Sequence, residues 1–153
     1  MVNCAGLGAR ALVPDSQVHP VRGHHVIVVT NPGLTDFVEA DTGDSADLIA
    51  IYPHPGRVVL GGTAEPGTWD RDPDPATGRA IFERCTRLEP RLVDAQVVDQ
   101  LVGLRPTRPY VRVDLQHHPS GTTIAHNYGH GGAGVSLSWG CATDLLSAAT
   151  SPP

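Results

Sequence analysis

The chain is poor in aromatic residues, in cysteine and in positive charge, and it lacks any long apolar run. Two Trp, three Tyr and two Phe make up only 5% of its 153 residues, so its core must be built from aliphatic side chains. Three cysteines, Cys4, Cys85 and Cys141, are odd in number and far apart, which excludes a disulfide framework and a CxxC zinc pair and points to a reducing compartment. Lys and Arg total 11 against 16 Asp and Glu, with no basic run, so a nucleic-acid partner is not expected. No apolar stretch approaches the ~20 residues of a membrane-spanning helix, so no membrane partner is expected either. The opening Met1-Val2-Asn3-Cys4-Ala5-Gly6 has neither the basic nor the apolar region of a signal peptide, and the final Ser151-Pro152-Pro153 is not a peroxisomal address. A cytoplasmic location is the expectation.

What the chain does contain is turn chemistry. Seventeen glycines and fourteen prolines favour short elements over long helices, and the length fits one domain with its own core. Residues 2–5 read as the end of a short strand running into a turn at 6–8. Residues 24–30 are β-branched and apolar on both faces, a buried strand stopped by Asn31-Pro32-Gly33. A polar connection over 41–47 leads to strands at 48–53 and 57–62, close enough to form a hairpin. After a solvated loop over 64–75, Pro75 sets up a helix over 76–88, whose Ala80, Ile81, Cys85 and Leu88 share roughly one face and which Pro90 ends. Strands follow at 95–102, 110–115 and 122–125, then a glycine-rich loop and a helix over 138–149. No repeat interrupts this order. The fold class implied is α+β, a mixed sheet with few helices.

The segment His126-Asn127-Tyr128-Gly129-His130-Gly131-Gly132-Ala133-Gly134-Val135-Ser136 places four glycines within six residues ahead of a helix. Backbone N–H groups in such a loop approach a ligand without Cβ obstruction, and the helix N-terminus favours an anionic or electron-rich group. A plain flexible loop is the alternative from composition alone. Gly6-Leu7-Gly8-Ala9-Arg10-Ala11 matches G-x-G-x-x-G/A, but too few residues precede it for a full strand and Pro14 cuts short any helix, so it is not read as a dinucleotide site. The pairs His24-His25, His117-His118 and His126/His130 lack a third ligand, so no metal is expected. Ser136 and Ser138 have no G-x-S-x-G setting, which argues against a hydrolase.

The glycine-rich segment, with Trp139-Gly140-Cys141-Ala142 after it, resembles the signature of the D-amino-acid oxidase family of flavoenzymes. Other segments resemble the family in the same order: Val2-Asn3-Cys4-Ala5-Gly6, Pro20-Val21-Arg22-Gly23-His24, Val59-Leu60-Gly61-Gly62, Arg87-Leu88-Glu89-Pro90, and Gly103-Leu104-Arg105-Pro106 with Arg108-Pro109. The resemblance covers the C-terminal half of the family's usual length, without the N-terminal βαβ unit. It implies that residues 1–22 are an end segment of an FAD-binding, Rossmann-like domain, that 23–125 form the substrate-binding sheet, and that 126–153 form the flavin-contacting loop and last helix. It further implies FAD as cofactor, contacted by Cys4, Ala5, Gly131, Gly132, Ala133, Gly134, Val135 and Ser136. The substrate carboxylate would meet Arg105, at a turn before Pro106, and Tyr52, and the Gly132 carbonyl would accept a hydrogen bond from the substrate amine. A second tyrosine of vertebrate members falls at Leu48 here. The implied reaction is oxidative deamination of a D-amino acid by oxygen, giving a 2-oxo acid, ammonia and hydrogen peroxide, with no side chain as general base. A homo-oligomer is left open. Weak or no FAD binding is expected of this chain alone. The rival readings are a non-catalytic fragment or interaction module, and a D-aspartate oxidase.

Overall fold

A computed structural model describes residues 1–28, 30–41, 43 and 47–150. Val29 of the expected strand over 24–30, most of the polar connection over 41–47, and the terminal Ser151-Pro152-Pro153 lie outside the described residues. The chain divides into two compact units, one of residues Met1–Val21 and Arg105–Pro153, the other of Arg22–Leu104. The sequence reading drew its middle segment at 23–125; residues 105–125 instead fall with the terminal segments, because they form a ladder with the strand that follows them.

In the Arg22–Leu104 unit the strands β2 (His19–Val28, begun in the other unit), β3 (Val38–Asp41), β4 (Leu48–His54) and β5 (Arg57–Gly61) stand in the order β2-β5-β4-β3 with antiparallel neighbours, and β6 (Glu65–Pro66) pairs with β2. The expected hairpin is present, with Gly56 at φ +74° in the turn between β4 and β5. Aliphatic residues of these strands fill the core: Val26, Val28, Ile51, Val58 and Leu60 pack with Ile81 and Cys85 of helix α2 (Pro75–Leu88). Helix α2 forms as its sequence directs. Asp74 accepts the Ala76 and Thr77 N–H groups, Pro75 occupies the first turn, and Pro90 follows the end. Strand β3 was not anticipated; its four residues alternate half-buried and exposed, too short a run to stand out.

The other unit holds β1 (Val2–Asn3), a 3-10 turn Gly6–Gly8, helix α1 (Ala9–Leu12), the later part of β7 (Val97–His117), β8 (Thr123–His130), a second 3-10 turn Gly131–Ala133 and helix α3 (Gly134–Thr150). Strand β8 pairs parallel with β1 and antiparallel with β7, so the sheet is mixed. Three expectations need correction. The strands expected at 95–102 and 110–115 are one strand, β7, and Arg105 lies within it, not at a turn. Proline is compatible with that course because the register with β8 shifts between Thr107 and Arg112, where Pro109 sits and no regular ladder bond is lost. The glycine-rich loop is mostly regular: β8 runs to His130, and α3 starts at Gly134 rather than 138 and continues for 17 residues. Among the described residues no helix is long and apolar enough to cross a membrane.

Candidate functional site

Most of the residues singled out in the sequence fall in the unit of residues 1–21 and 105–150. Strand β1 ends at Asn3, directly paired with His126 of β8. Beyond it the chain bends: the Ala5 N–H donates to Asn3 Oδ1 at 3.1 Å, the Gly8 N–H donates to the Ala5 carbonyl at 2.9 Å, and Cys4 and Ala5 are left exposed. Gly6 sits at φ +55°, where a side chain would be strained and its Cβ would come within 3.4 Å of the Pro106 ring. This close approach brings the Cys4-Ala5-Gly6 bend beside the Arg105-Pro106 stretch of β7. Residues 9–12 form only one short helical turn, too short for the helix that a dinucleotide motif needs.

Beyond β8, Gly131 adopts φ +59° and opens the 3-10 turn that leads into α3, and no side chain caps the start of that turn. Gly132, Ala133, Val135 and Ser136 are exposed, with Gly131 and Gly134 half-buried. A Cβ on Gly132 would lie 3.6 Å from Arg105 Cδ, so the arginine stem runs alongside the bare glycine backbone. Before the turn, His130 Nε2 and Asn127 Oδ1 are buried with no hydrogen-bond partner among the described residues. The uncapped start of the turn, a glycine surface beside the Arg105 stem and unsatisfied polar atoms fit a large, polar, planar group such as a flavin, which the Gly131–Ser136 backbone and the exposed Cys4 and Ala5 would hold.

Behind this surface lies a polar network that the sequence reading missed. Asp15, 8% exposed, accepts from Arg108 Nε at 2.9 Å, from the Tyr128 hydroxyl at 2.8 Å and from the Gln17 N–H at 3.0 Å. Burial alone would raise the Asp15 pKa, but the Tyr128, Gln17 and Arg108 bonds together hold it below the ordinary value. The Tyr128 hydroxyl also accepts from Arg112 at 2.8 Å, and burial together with the Asp15 carboxylate pushes its pKa up. Gly129, at φ +88°, makes room for Arg108: a Cβ there would meet Arg108 Cβ at 2.7 Å. Tyr128 and Arg108 stood inside recognisable motifs, but nothing in the sequence pointed to Asp15, which is 113 residues from its tyrosine partner.

Tyr52 belongs to the other unit. It lies inside β4, stacks on Phe37 with ring centroids 4.3 Å apart, and donates its hydroxyl to the Glu39 carboxylate. Leu48 opens the same strand and is 42% exposed. The histidine pairs gather no metal site: no group of three or more His, Cys, Asp or Glu among the described residues is arranged to hold an ion.

The family model described as FAD dependent oxidoreductase matches residues 1–147. The chain is 52% identical to a D-amino-acid oxidase of Rubrobacter xylanophilus over 149 residues, 97% of this chain and 45% of that protein. It is 42% identical to the D-aspartate oxidase of Homo sapiens over 147 residues, 94% of this chain and 42% of that protein. The chain therefore spans less than half the length of these relatives. Among solved structures, glycine oxidase from Geobacillus kaustophilus superposes with a TM-score of 0.77 at 28% identity, over 96% of this chain and 40% of that one. The fold is also shared, at 16% identity and a TM-score of 0.71, with an FAD-bound L-alpha-glycerophosphate oxidase from Mycoplasma pneumoniae, over 99% of this chain and 42% of that one.

Proposed function

Since the chain belongs to the FAD dependent oxidoreductase family, we propose that it is the substrate-facing and flavin-facing part of a D-amino-acid oxidase. The observation that carries this reading is the Arg105 stem lying against Gly132, 3.6 Å from where a Cβ would stand. It puts a permanently charged, carboxylate-pairing group next to an uncovered backbone turn. When bound, FAD supplies a two-electron acceptor that oxygen can reoxidise.

The chain's own part is orientation. Arg105 pairs with the substrate carboxylate, a role that the family resemblance also gives to Tyr52. The Gly132 carbonyl accepts from the substrate amine. Held at both ends, the substrate presents its α-hydrogen in one direction, and the entropy of that alignment is met on binding. The glycines at 131, 132 and 134 keep the face clear for the flavin, and Cys4 and Ala5 flank it. With the amine arriving neutral, no side chain needs to remove a proton. The overall reaction takes a D-amino acid, oxygen and water to a 2-oxo acid, ammonia and hydrogen peroxide. Peroxide formation and a cytoplasmic location are parts of this proposal. The test is turnover of neutral D-amino acids and of D-aspartate, with peroxide detection, by a protein extended to the length of its relatives. Preference for D-aspartate would move the assignment to a D-aspartate oxidase, whose further side-chain cation would come from outside this chain.

A second reading, an interaction module without catalysis, draws on α3. Its Val135, Trp139 and Leu146 are 90%, 86% and 66% exposed, and Leu145 is its only buried side chain among the described residues. Strong binding of a hydrophobic dye by the chain, with no flavin bound at any FAD concentration, would favour this second reading.

A further inference from the structure

The exposed bend at Cys4-Ala5 owes its shape to Asn3, and Asn3 is in turn held by a buried histidine that takes no part in the chemistry above. His126 is fully buried, stands directly opposite Asn3 in the parallel β1–β8 ladder and opposite Asp114 in the β7–β8 ladder. Its two ring nitrogens are engaged on opposite sides. His126 Nδ1 lies 3.2 Å from Asn3 Nδ2, and Nε2 lies 2.9 Å from Gln116 Oε1.

The directions of these bonds follow from their ends. The Ala5 N–H can only donate, so the group facing it is Asn3 Oδ1, and Nδ2 must then face the histidine. An amide NH₂ donates, so His126 Nδ1 must be a bare acceptor. On the other side, Arg112 donates to Gln116 Oε1 at 3.0 Å, which fixes that amide, so His126 Nε2 must carry the proton. Four bonds agree on one neutral tautomer.

We infer that His126, as its Nε2–H tautomer, is the positioning residue that latches Asn3 and thereby fixes the Ala5 amide and the Cys4-Ala5 edge. The importance of that edge rests on the flavin reading; the latch itself does not. Protonation places a second N–H on Nδ1, facing the Asn3 NH₂, donor against donor. Turning the Asn3 amide over would satisfy the ring but would set Nδ2 against the Ala5 N–H, so no orientation of Asn3 serves both neighbours of an imidazolium. The groups facing His126 are Asn3 from β1, Arg112, Asp114 and Gln116 from β7, Asp15 from the loop after α1, and the edge-on Tyr128 ring at 5.7 Å in its own strand. Burial, then the Arg112 charge, oppose protonation more than Asp114 and Asp15 favour it, so the ring titrates below the ordinary histidine range. The latch is closed at neutral pH and opens in acid.

The test uses the ¹⁵N-labelled 153-residue chain. Long-range ¹H–¹⁵N spectra should show His126 Nδ1 bare and Nε2 protonated at neutral pH. Exchange of the Ala5 amide proton should accelerate beyond its intrinsic pH dependence with the same midpoint as His126 protonation. H126N, whose Oδ1 can stand where Nδ1 stands, should keep the Ala5 amide protected and lose that pH step. H126Q, which reaches only the Gln116 side, should lower the protection at least tenfold. A proton on Nδ1, an Ala5 amide indifferent to His126 ionisation, or full protection in H126Q would overturn the inference. If neither variant folds, the wild-type ring spectrum and the Ala5 step decide it. FAD titration of the protein extended to its relatives' length reads the other question: no binding there, with the latch behaving as stated, refutes the flavin assignment and leaves the latch standing.

Discussion

Replacing Asp15 by alanine tests whether the network behind the glycine turn holds this unit together. The substitution removes the acceptor for Arg108 Nε, for the Tyr128 hydroxyl and for the Gln17 N–H. Breaking a buried ion pair by deleting one partner costs about 3–5 kcal/mol, because the other charge is left uncompensated. The Arg108 side chain retains 17% exposure and a second acceptor, the Tyr110 carbonyl at 3.0 Å, so the lower end, about 3 kcal/mol, is the expected cost. Tyr128→Phe leaves the pair intact and loses two hydrogen bonds, an expected 1–2 kcal/mol or about that. Because both substitutions disrupt one network, the double variant should cost less than their sum, by about 1 kcal/mol. Urea unfolding at neutral pH, read by linear extrapolation, supplies all four values. The pH dependence gives a second check. Burial pushes the Asp15 pKa up, yet its partners hold the folded value below the unfolded one, so its contribution is fully present above the ordinary aspartate range of about 4 and is lost as pH falls through the folded value. The stability gap between wild type and Asp15→Ala should therefore narrow in acid. A cost under about 1 kcal/mol at neutral pH, or strict additivity with Tyr128→Phe, would refute the network as a structural support.

Other outcomes follow from single contacts. Gly129→Ala should destabilise by about 1–3 kcal/mol in the same assay, since φ +88° disfavours a side chain and the new methyl meets Arg108 Cβ at 2.7 Å, whereas Gly121→Ala, at φ +84° with open space around it, should show only the backbone part of that cost. Arg105→Ala in a protein extended to its relatives' length should lower kcat/KM by about tenfold to a hundredfold, the worth of a charge-assisted carboxylate pair, and unchanged turnover would remove Arg105 from the site. A thiol reagent at mildly alkaline pH should modify exposed Cys4 rapidly and leave Cys85 untouched until the chain unfolds, because burial raises the Cys85 thiol pKa and closes its access.

Legibility differed between local and long-range features. Helix α2 could be read almost to the residue, because Asp74, Pro75 and Pro90 act on their own neighbours and Ile81 and Cys85 mark the buried face. The β4–β5 hairpin was equally plain, its turn built from Pro55 and Gly56 between apolar runs. The stretch around Arg105 was misread as a turn, since proline punctuates most sequences. Here an irregular register with β8 accommodates Pro109, and that register depends on residues more than ten positions away. The start of α3 was placed four residues late for a related reason: glycine disfavours helix by about 1 kcal/mol against alanine, yet Gly134 enters one at φ −57° where the preceding 3-10 turn has already set the direction.

The candidate site divides along the same line. Its glycines and Arg105 could be found because a backbone that must stay bare, and a charge that must stay fixed, leave a mark at particular positions. Their supports left none: Asp15, Gln116 and Asn3 are ordinary polar residues whose roles exist only once β1, β7 and β8 are side by side. Tyr128 shows how the two classes meet. It was visible as part of a motif between His126 and Gly129, but its work is to join Asp15 to Arg112 beneath the strand. A motif in this chain therefore carries two kinds of residue in alternation, because successive side chains of a strand point to opposite faces. His126 and Tyr128 share one face of β8, where they tie the strand to β1 and β7, and residues 131–134 then turn the chain into α3. A reading of the motif as ligand contacts alone accounts for the glycines and leaves the buried rings unexplained; their positions on one strand face explain why they stand two residues apart.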